Sequence, residues 1–278
     1  MIKLVVDSTC YADDKFIKDN DIKVVTLSTT LDDLTIEDEN KGAWNQFFTL
    51  LKSSKNFPKT SQATPVMFEE AFKEILAKDK DCDILVLTLA ENLSGTNQAA
   101  KVAAEAVNAD KIHVIDSGVT AHSQLILIEE VVKLISKNND IKQVLKEVEE
   151  LKQRIGICFV PETIEYLKRG GRIGLMKSTI ASVLGIKPVL HFKLGKLESK
   201  KKGIGMAKAI VEMVNDLPSN IKRLYVVYIH EAPKHLESLV AKIKEKYNIE
   251  VKTTQAIGPV IGSHIGVGAL GVAYLADK

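Results

Sequence analysis

Arginine is scarce in this chain. Four of its 38 basic side chains are Arg and the rest are Lys. A planar guanidinium does what a lysine cannot, so each Arg is worth locating. Two of the four, Arg169 and Arg172, stand three residues apart in "LKRGGRIG". Cysteine is scarcer still. Cys10, Cys82 and Cys158 lie far apart, with no CxxC and no Cys/His pairing. No zinc site, other metal site or disulfide framework is expected from that spacing, which fits a reducing cytosol. The opening "MIKLVVDSTC" turns polar too early to hold the apolar core of a signal peptide. No run of about 18 apolar residues exists, so no membrane span is expected. The net charge of +2 is too small to point to nucleic acid. A cytoplasmic location is expected.

Catalytic signatures are missing too. The chain has no GxxxxGK[ST] phosphate loop, no GxSxG elbow and no HExxH. Gly266, Gly268 and Gly271 fall in a GxGxxG register, but with no strand–helix unit and acidic residue downstream of them. No cofactor is expected.

What is present is an ordinary globular balance, 45% hydrophobic and 27% charged, in 278 residues. That length is enough for two domains with real cores. The first half alternates strand and helix signals. "KLVVD", "IKVVTLS", "DILVLTL" and "KIHVID" read as strands. "AWNQFFTLLKSS", "VMFEEAFKEILAK" and "GTNQAAKVAAEAVNA" read as helices, followed by two amphipathic ones, "QLILIEEVVKLISK" and "IKQVLKEVEELKQR". The pattern implies a parallel sheet covered by helices, an α/β domain over 1–152. After Arg154 the pattern changes. "GICFV", "PVLHFKLGKLESKK", "RLYVVYIH" and "EVKTTQAI" read as strands, with a hairpin turn at Gly195. "AKAIVEMVND" and "HLESLVAKIKEKY" read as helices. An α+β domain with a smaller mixed or antiparallel sheet is expected over 153–278. A ligand site belongs between the two.

Five stretches carry candidate chemistry. In "LTLAENLSGTNQAA", Ser94, Gly95 and Thr96 open a helix after a strand. That position is either a plain N-cap or a seat for an anion at free N–H groups. In "KTSQATP", Thr64 and Pro65 fit an N-cap and first turn, leaving Thr60, Ser61 and Gln62 to solvent or to a site. "DST" and "VIDSG" place Asp7 and Asp116 at strand ends, where they cap turns or organise a site. "YLKRGGRIG" presents Arg169 and Arg172 on a glycine turn, free to meet solvent, an anion or an acidic partner. In "IGSHIGVGALGVAYL", His264 is a polar residue among glycines and small apolar residues. It reads as a core histidine with a satisfied hydrogen bond or as a ligand contact.

Taken in order, "VDST", "TSQATP", "SGTNQAA", "VIDS", "YLKRGGRIG", "LGIKPVL" and "GSHIGVGALG" resemble the DegV family across essentially the whole chain. The resemblance implies two α/β domains and a non-catalytic protein with a long fatty acid in a buried tunnel. It implies that the carboxylate is held at positions matching Thr60, Ser61, Ser94, Gly95 and His264. It also implies a separate fatty acid kinase as partner, met through Arg172 with Arg169 beside it, and transient contact with a membrane surface. The kinase would phosphorylate the bound carboxylate to an acyl phosphate for phospholipid metabolism. Two places depart from the family pattern. The acidic residue after "DST" is delayed to Asp13, and Thr26 stands where proline is frequent. Two alternatives stay open on the residues alone. One is an acyl- or phosphoryl-transfer enzyme using His264 with Ser94. The other is a carrier of a different amphiphile.

Overall fold

The computed structural model describes residues 1–175, 185–230, 234–254 and 257–278. Leu184 of the "LGIKPVL" motif and Gln255 and Ala256 of the last expected strand lie outside them.

The first part of the chain runs β1 (Ile2–Asp7), α1 (Asp14–Asp19), β2 (Lys23–Val25), β3 (Ser28–Leu31), β4 (Leu34–Glu37), α2 (Trp44–Ser53) and β5 (Lys59–Ser61). It continues with α3 (Pro65–Lys78), β6 (Asp83–Thr88), α4 (Thr96–Val107), β7 (Ile112–Asp116), α5 (Ala121–Ile135) and α6 (Ile141–Lys152). β2, β1, β6 and β7 form a four-stranded sheet in that order, every pair parallel. The expected strand "IKVVTLS" divides in two. β2 joins the parallel sheet, while β3 leaves it for a small antiparallel sheet, β4-β3-β5. Thr64 caps α3 by accepting from Met67 N at 3.4 Å, with Pro65 in the first turn as the sequence suggests.

The second part runs β8 (Ile155–Val160), α7 (Glu165–Arg169), β9 (Ile186–Lys193), β10 (Lys196–Ile204), α8 (Gly205–Asp216) and β11 (Ile221–Tyr228). It ends with α9 (Leu236–Lys246), β12 (Lys252–Thr254), α10 (Pro259–Ile265) and β13 (Leu270–Ala276). The strands form one sheet, β10-β9-β8-β13-β11-β12, antiparallel except for β11 with β12. The sheet is mixed, as expected, but six strands wide where a smaller one was expected. The glycine-rich C-terminal run accounts for the difference. It becomes extended from Leu270 and supplies β13, buried nearly throughout at the centre of the sheet. The hairpin turn lies at Leu194–Gly195, where both residues have positive φ, +50° and +70°. Glycine adopts that conformation freely, and the pair matches the twist of the flanking strands.

Alternation along the strands assigns the layers. Val5, Ile84 and Val86 on one face of the parallel sheet pack under α3 and α4. Leu4, Val6, Leu85 and Leu87 on the other face share a core with α5. Ile157, Phe159 and Phe192 of the large sheet join that same core, while Cys158, Val160 and Val189 face α8 and α9. α5 is therefore a central layer between two sheets. This explains why residues 121–128 are all buried, where the sequence reads as amphipathic. Burial on every side replaces the one-sided stripe of a surface helix.

One buried carboxylate ties these layers at the carboxyl edge of the parallel sheet. Asp7, fully buried, accepts from Thr9 N at 3.0 Å, Thr9 Oγ1 at 2.6 Å, Leu89 N at 2.5 Å and Gln124 Nε2 at 3.0 Å. β1, the loop after β6 and α5 thus meet on one side chain. Burial raises its pKa, while the four donors oppose that rise. Replacing Asp7 with Ala leaves Leu89 N and the Gln124 amide without their buried acceptor. A loss of about 3 kcal/mol is expected, on the order of 5–10 °C in thermal unfolding followed by circular dichroism. An unchanged midpoint would show that the carboxylate is not a structural tie.

Candidate functional site

A cavity of about 160 Å³ opens between the two parts of the chain, on the face of the large sheet that looks toward α5. Its walls are mostly apolar. Ile157, Phe159, Phe192, Leu197 and Val227 come from the large sheet, and Leu27, Leu89 and Leu93 from the first part of the chain. Polar side chains on its wall include Thr60, Ser61, Gln62, Ser94, Arg172 and His264, with Thr120 and Tyr228 also lining it.

Each reaches the group by its local structure. β5 pairs with β3, setting Thr60 opposite Thr29. α10 lies across β3, β5 and α2, although it is the penultimate element of the chain. Three bonds hold it there. Val260 N donates to Asp38 Oδ1 at 2.9 Å, Ile261 N donates to Tyr11 Oη at 3.2 Å, and Ser263 Oγ lies 2.8 Å from Thr29 Oγ1. His264 then stands in the last turn of α10, with Nε2 2.9 Å from Thr60 Oγ1. Burial raises the Asp38 pKa to about 7, offset in part by its bonds to Val260 N and Tyr11.

The loop before α4 supplies the opposite wall. The N-cap there is Gly95, one residue beyond the serine that the sequence offers for the role. Ser94 Oγ sits 2.9 Å from Thr96 Oγ1 and accepts from Thr96 N at 3.3 Å. A Cβ at position 95 would fall 2.2 Å from the amide oxygen of Gln62, so the glycine leaves the space that this side chain occupies. The same holds at Gly170, where a Cβ would overlap Nδ1 of His264. Arg172 closes the ring. Its Nε and Nη2 donate to Leu93 O at 3.2 and 3.0 Å, and Nη1 donates to Gly170 O at 2.6 Å.

The five ligand candidates of the sequence, Thr60, Ser61, Ser94, Gly95 and His264, are all on the wall of this one cavity. The two arginines separate. Arg172 lines the cavity, whereas Arg169 lies outside it, more than half exposed. The Arg169 guanidinium stacks 4.1 Å over the Phe57 ring and bonds Glu165 at 2.6 Å. Phe57 in turn packs on Tyr166, with ring centroids 5.2 Å apart. Asp116 organises loops, accepting from Gly118 N at 2.8 Å and Glu91 N at 3.2 Å.

His264 is neutral in this setting. Burial, then the nearby Arg172 charge, brings its pKa down to about 4. Nε2 has Thr60 as partner, while buried Nδ1 has none. The pair can reverse direction: when the Thr60 hydroxyl donates to Nε2, the imidazole proton sits on Nδ1. His264 bonds Thr60 and Ser94 bonds Thr96, and among the described residues no hydrogen bond joins Ser94 to His264.

A second polar cluster was not legible in the sequence. Cys158 Sγ lies 3.2 Å from His191 Nε2, and that same nitrogen lies 2.7 Å from Asp216 Oδ2. These residues sit on the far face of the large sheet, away from the cavity. Burial holds the thiol well above its ordinary pKa. With one imidazole nitrogen facing both neighbours, there is no proton relay of the kind a nucleophilic cysteine uses. Among the described residues no group of three or more side chains suits a metal ion, and no helix is long and apolar enough to cross a membrane.

The profile described as "Uncharacterised protein, DegV family" matches residues 1–277. The chain belongs to the DegV family. A DegV domain-containing protein of Halalkalibacterium halodurans is 29% identical, covering 100% of this chain and 99% of its own. Another, from Streptococcus pneumoniae, is 31% identical over 96% of each chain. Among solved structures, one titled for fatty acid binding by a DegV family protein of Thermus thermophilus superposes with a TM-score of 0.88. It has 26% identity over 99% of each chain. A stearic-acid-binding protein of Eubacterium ventriosum shares the fold, with a TM-score of 0.87 and 23% identity over 99% of this chain and 98% of its own.

Two outcomes follow from the site as built. Because the folded pKa of His264 lies below the unfolded value of about 6.5, the unfolded chain takes up the proton first as pH falls. This residue therefore costs stability progressively from about pH 6.5 down to about 4, on the order of 2 kcal/mol at pH 5. Asp38 acts in the opposite sense, because its raised pKa favours the protonated folded state below about 7. The His264 part is isolated by comparing urea unfolding of the parent and His264→Gln at pH 5 and 7.5. The parent should lose more on acidification, and equal losses would contradict a buried neutral imidazole. Gly170→Ala, at a residue with ordinary φ, should displace the imidazole and shift its ring resonances in NMR spectra without unfolding the protein.

Proposed function

We propose that this protein binds a long-chain fatty acid and presents it, unaltered, to a separate fatty acid kinase. The observation that carries the reading is the presence of hydroxyl, amide, imidazole and guanidinium groups on the wall of a mostly apolar cavity. A carboxylate moved out of water needs several donors, since an unpaired buried charge is prohibitively costly. Ser94, Thr60 and His264 are the donors assigned to it, with Ser61 and Gly95 completing the wall. An acyl chain needs the reverse, a dry apolar path, and contributes about 0.8 kcal/mol for each buried methylene. The fatty acids bound by structural neighbours of the same fold support this ligand class.

The kinase step rests on the family resemblance. In this reading the protein performs no chemistry, and the kinase phosphorylates the bound carboxylate to an acyl phosphate. The turn carrying Arg169 and Arg172 is the face offered to that partner, with Arg169 its exposed member. Transient contact with a membrane surface would load the acid.

Native mass spectrometry of freshly purified protein, followed by denaturation and lipid identification, tests the binding. A bound hexadecanoic or octadecanoic acid is expected, and Ser94→Ala and His264→Ala should each weaken retention about tenfold. A clean protein mass that also refuses added fatty acid would defeat the reading. Retention of lipid without acyl phosphate formation, in the presence of ATP and a fatty acid kinase, would leave binding in place and remove the kinase role.

A further inference from the structure

A second cleft, of about 550 Å³, is lined by the turn after β1, by α1 and by the segment from Asp38 to Trp44. Three residues of its wall also touch the start of α10. A Cβ at Gly258 would collide with Tyr11, Trp44 and Asp38 together. The N-terminal end of α10 thus backs onto this cleft, while His264 in its last turn faces the first cavity. One short helix separates the two spaces.

Each end of the helix is docked by a titratable side chain, and the two docks are built alike. Asp38, 1% exposed, has neutral partners: Val260 N, Tyr11 and Ser8 Oγ. The charge set beside it, Asp7, is of its own sign. His264 has a neutral partner in Thr60, and the charge beside it, Arg172, is again of its own sign. A group buried among neutral dipoles and next to a like charge is held in its neutral form. Burial first, then, raises the Asp38 pKa to about 7 and lowers that of His264 to about 4. The other ionisable groups around the Asp38 end are Cys10, Tyr11, Asp14, Lys18, Asp21, Glu39 and Lys41, with Lys41 paired to Asp14. Around the rest of α10 they are Tyr166, packed on Gly266, and His230, stacked on the Phe48 ring that fills the space beside Gly262.

Undocking of α10 admits water to both groups, and they respond with opposite signs. A carboxyl held neutral ionises more readily once hydrated. Through Asp38, rising pH therefore favours undocking, over about pH 4 to 7. An imidazole held neutral takes up a proton more readily once hydrated. Through His264, falling pH therefore favours undocking, over about pH 6.5 to 4. The two windows overlap. We infer that α10 is a pH-compensated wall, in which Asp38 at one end and His264 at the other cancel each other and keep the helix docked equally well from mildly acidic to neutral pH. This holds whatever ligand the cavity takes.

Amide hydrogen exchange of the delipidated full-length protein at about pH 5.5 and 7.5 tests the cancellation, after correction for the chemical exchange rate at each pH. The reporters are Gly262 N and Gly266 N, which bond Gly258 O and Gly262 O within α10. In the parent the opening constant should change by no more than about threefold between the two conditions. Asp38→Asn leaves His264 to act alone, and opening should increase about tenfold on acidification. His264→Gln leaves Asp38 to act alone, and opening should decrease about twentyfold on acidification. The double variant should again be flat. A parent response of about tenfold, or one response shared by the parent and both single variants, would overturn the inference. So would α10 amides that exchange only together with those of β6, since the helix would then not open by itself. A pH response that survives in the double variant would belong to another group, His230 first, and would overturn it as well. If Asp38→Asn does not fold, His264→Gln decides, and opening in it that does not decrease on acidification would overturn the inference.

Discussion

The candidate site exists because a short helix near the C-terminus is held in the first part of the chain. Residues 260, 261, 263 and 264 of α10 each bond a different partner there: Asp38, Tyr11, Thr29 and Thr60. A seven-residue helix has little intrinsic stability in water, so these contacts and its packing on β3, β5 and α2 determine where it lies. Remove that anchorage and His264 has no hydroxyl to face. Asp38 is central because it is itself buried, and it accepts the first N–H of the helix, that of Val260, at the positive end of its dipole.

The division of labour between the two sheets follows from the same economy of burial. β8, β9, β11 and β13 of the large sheet place alternate residues in the core under α8 and α9 and in the core shared with α5. Phe159 lines the cavity, while its neighbours Cys158 and Val160 pack under α8 and α9. The cavity wall is therefore the inner face of a sheet that is fully supported from behind. The parallel sheet contributes loops instead, at its carboxyl edge, where α/β folds usually bind ligands.

Much of this was legible in the chain. Strand and helix periodicity gave the parallel sheet, Thr64 and Pro65 marked the start of α3, and Gly195 marked the hairpin. Ordered motifs brought Thr60, Ser94 and His264 into one hypothesis before any contact was known. What was not legible depends on contacts far apart in sequence. "KTS" gave no strand signal because β5 is three residues long and exists by pairing with β3. Ser94 looked like a cap, but Gly95 takes that position, and the Ser94 hydroxyl turns to Thr96 instead. α5 reads as amphipathic from its Glu129 and Glu130, and only the second sheet packed on it explains its buried first half. The inward turn of Arg172 has no sequence cue at all, since the carbonyl it covers lies 79 residues away.

The late position of α10 also has a meaning for how the molecule is made. Thr60 and His264 are separated by 204 positions. A chain emerging in order from its N-terminus carries β3, β5 and the loop before α4 long before the helix that completes them. Until then Thr60 lacks its imidazole partner, and the cavity lacks its histidine wall. Contacts of such long range close slowly, because loop entropy is lost before they form. The candidate site is thus completed last during synthesis, and a chain halted before residue 259 would hold the strands of the parallel sheet with an unfinished cavity wall.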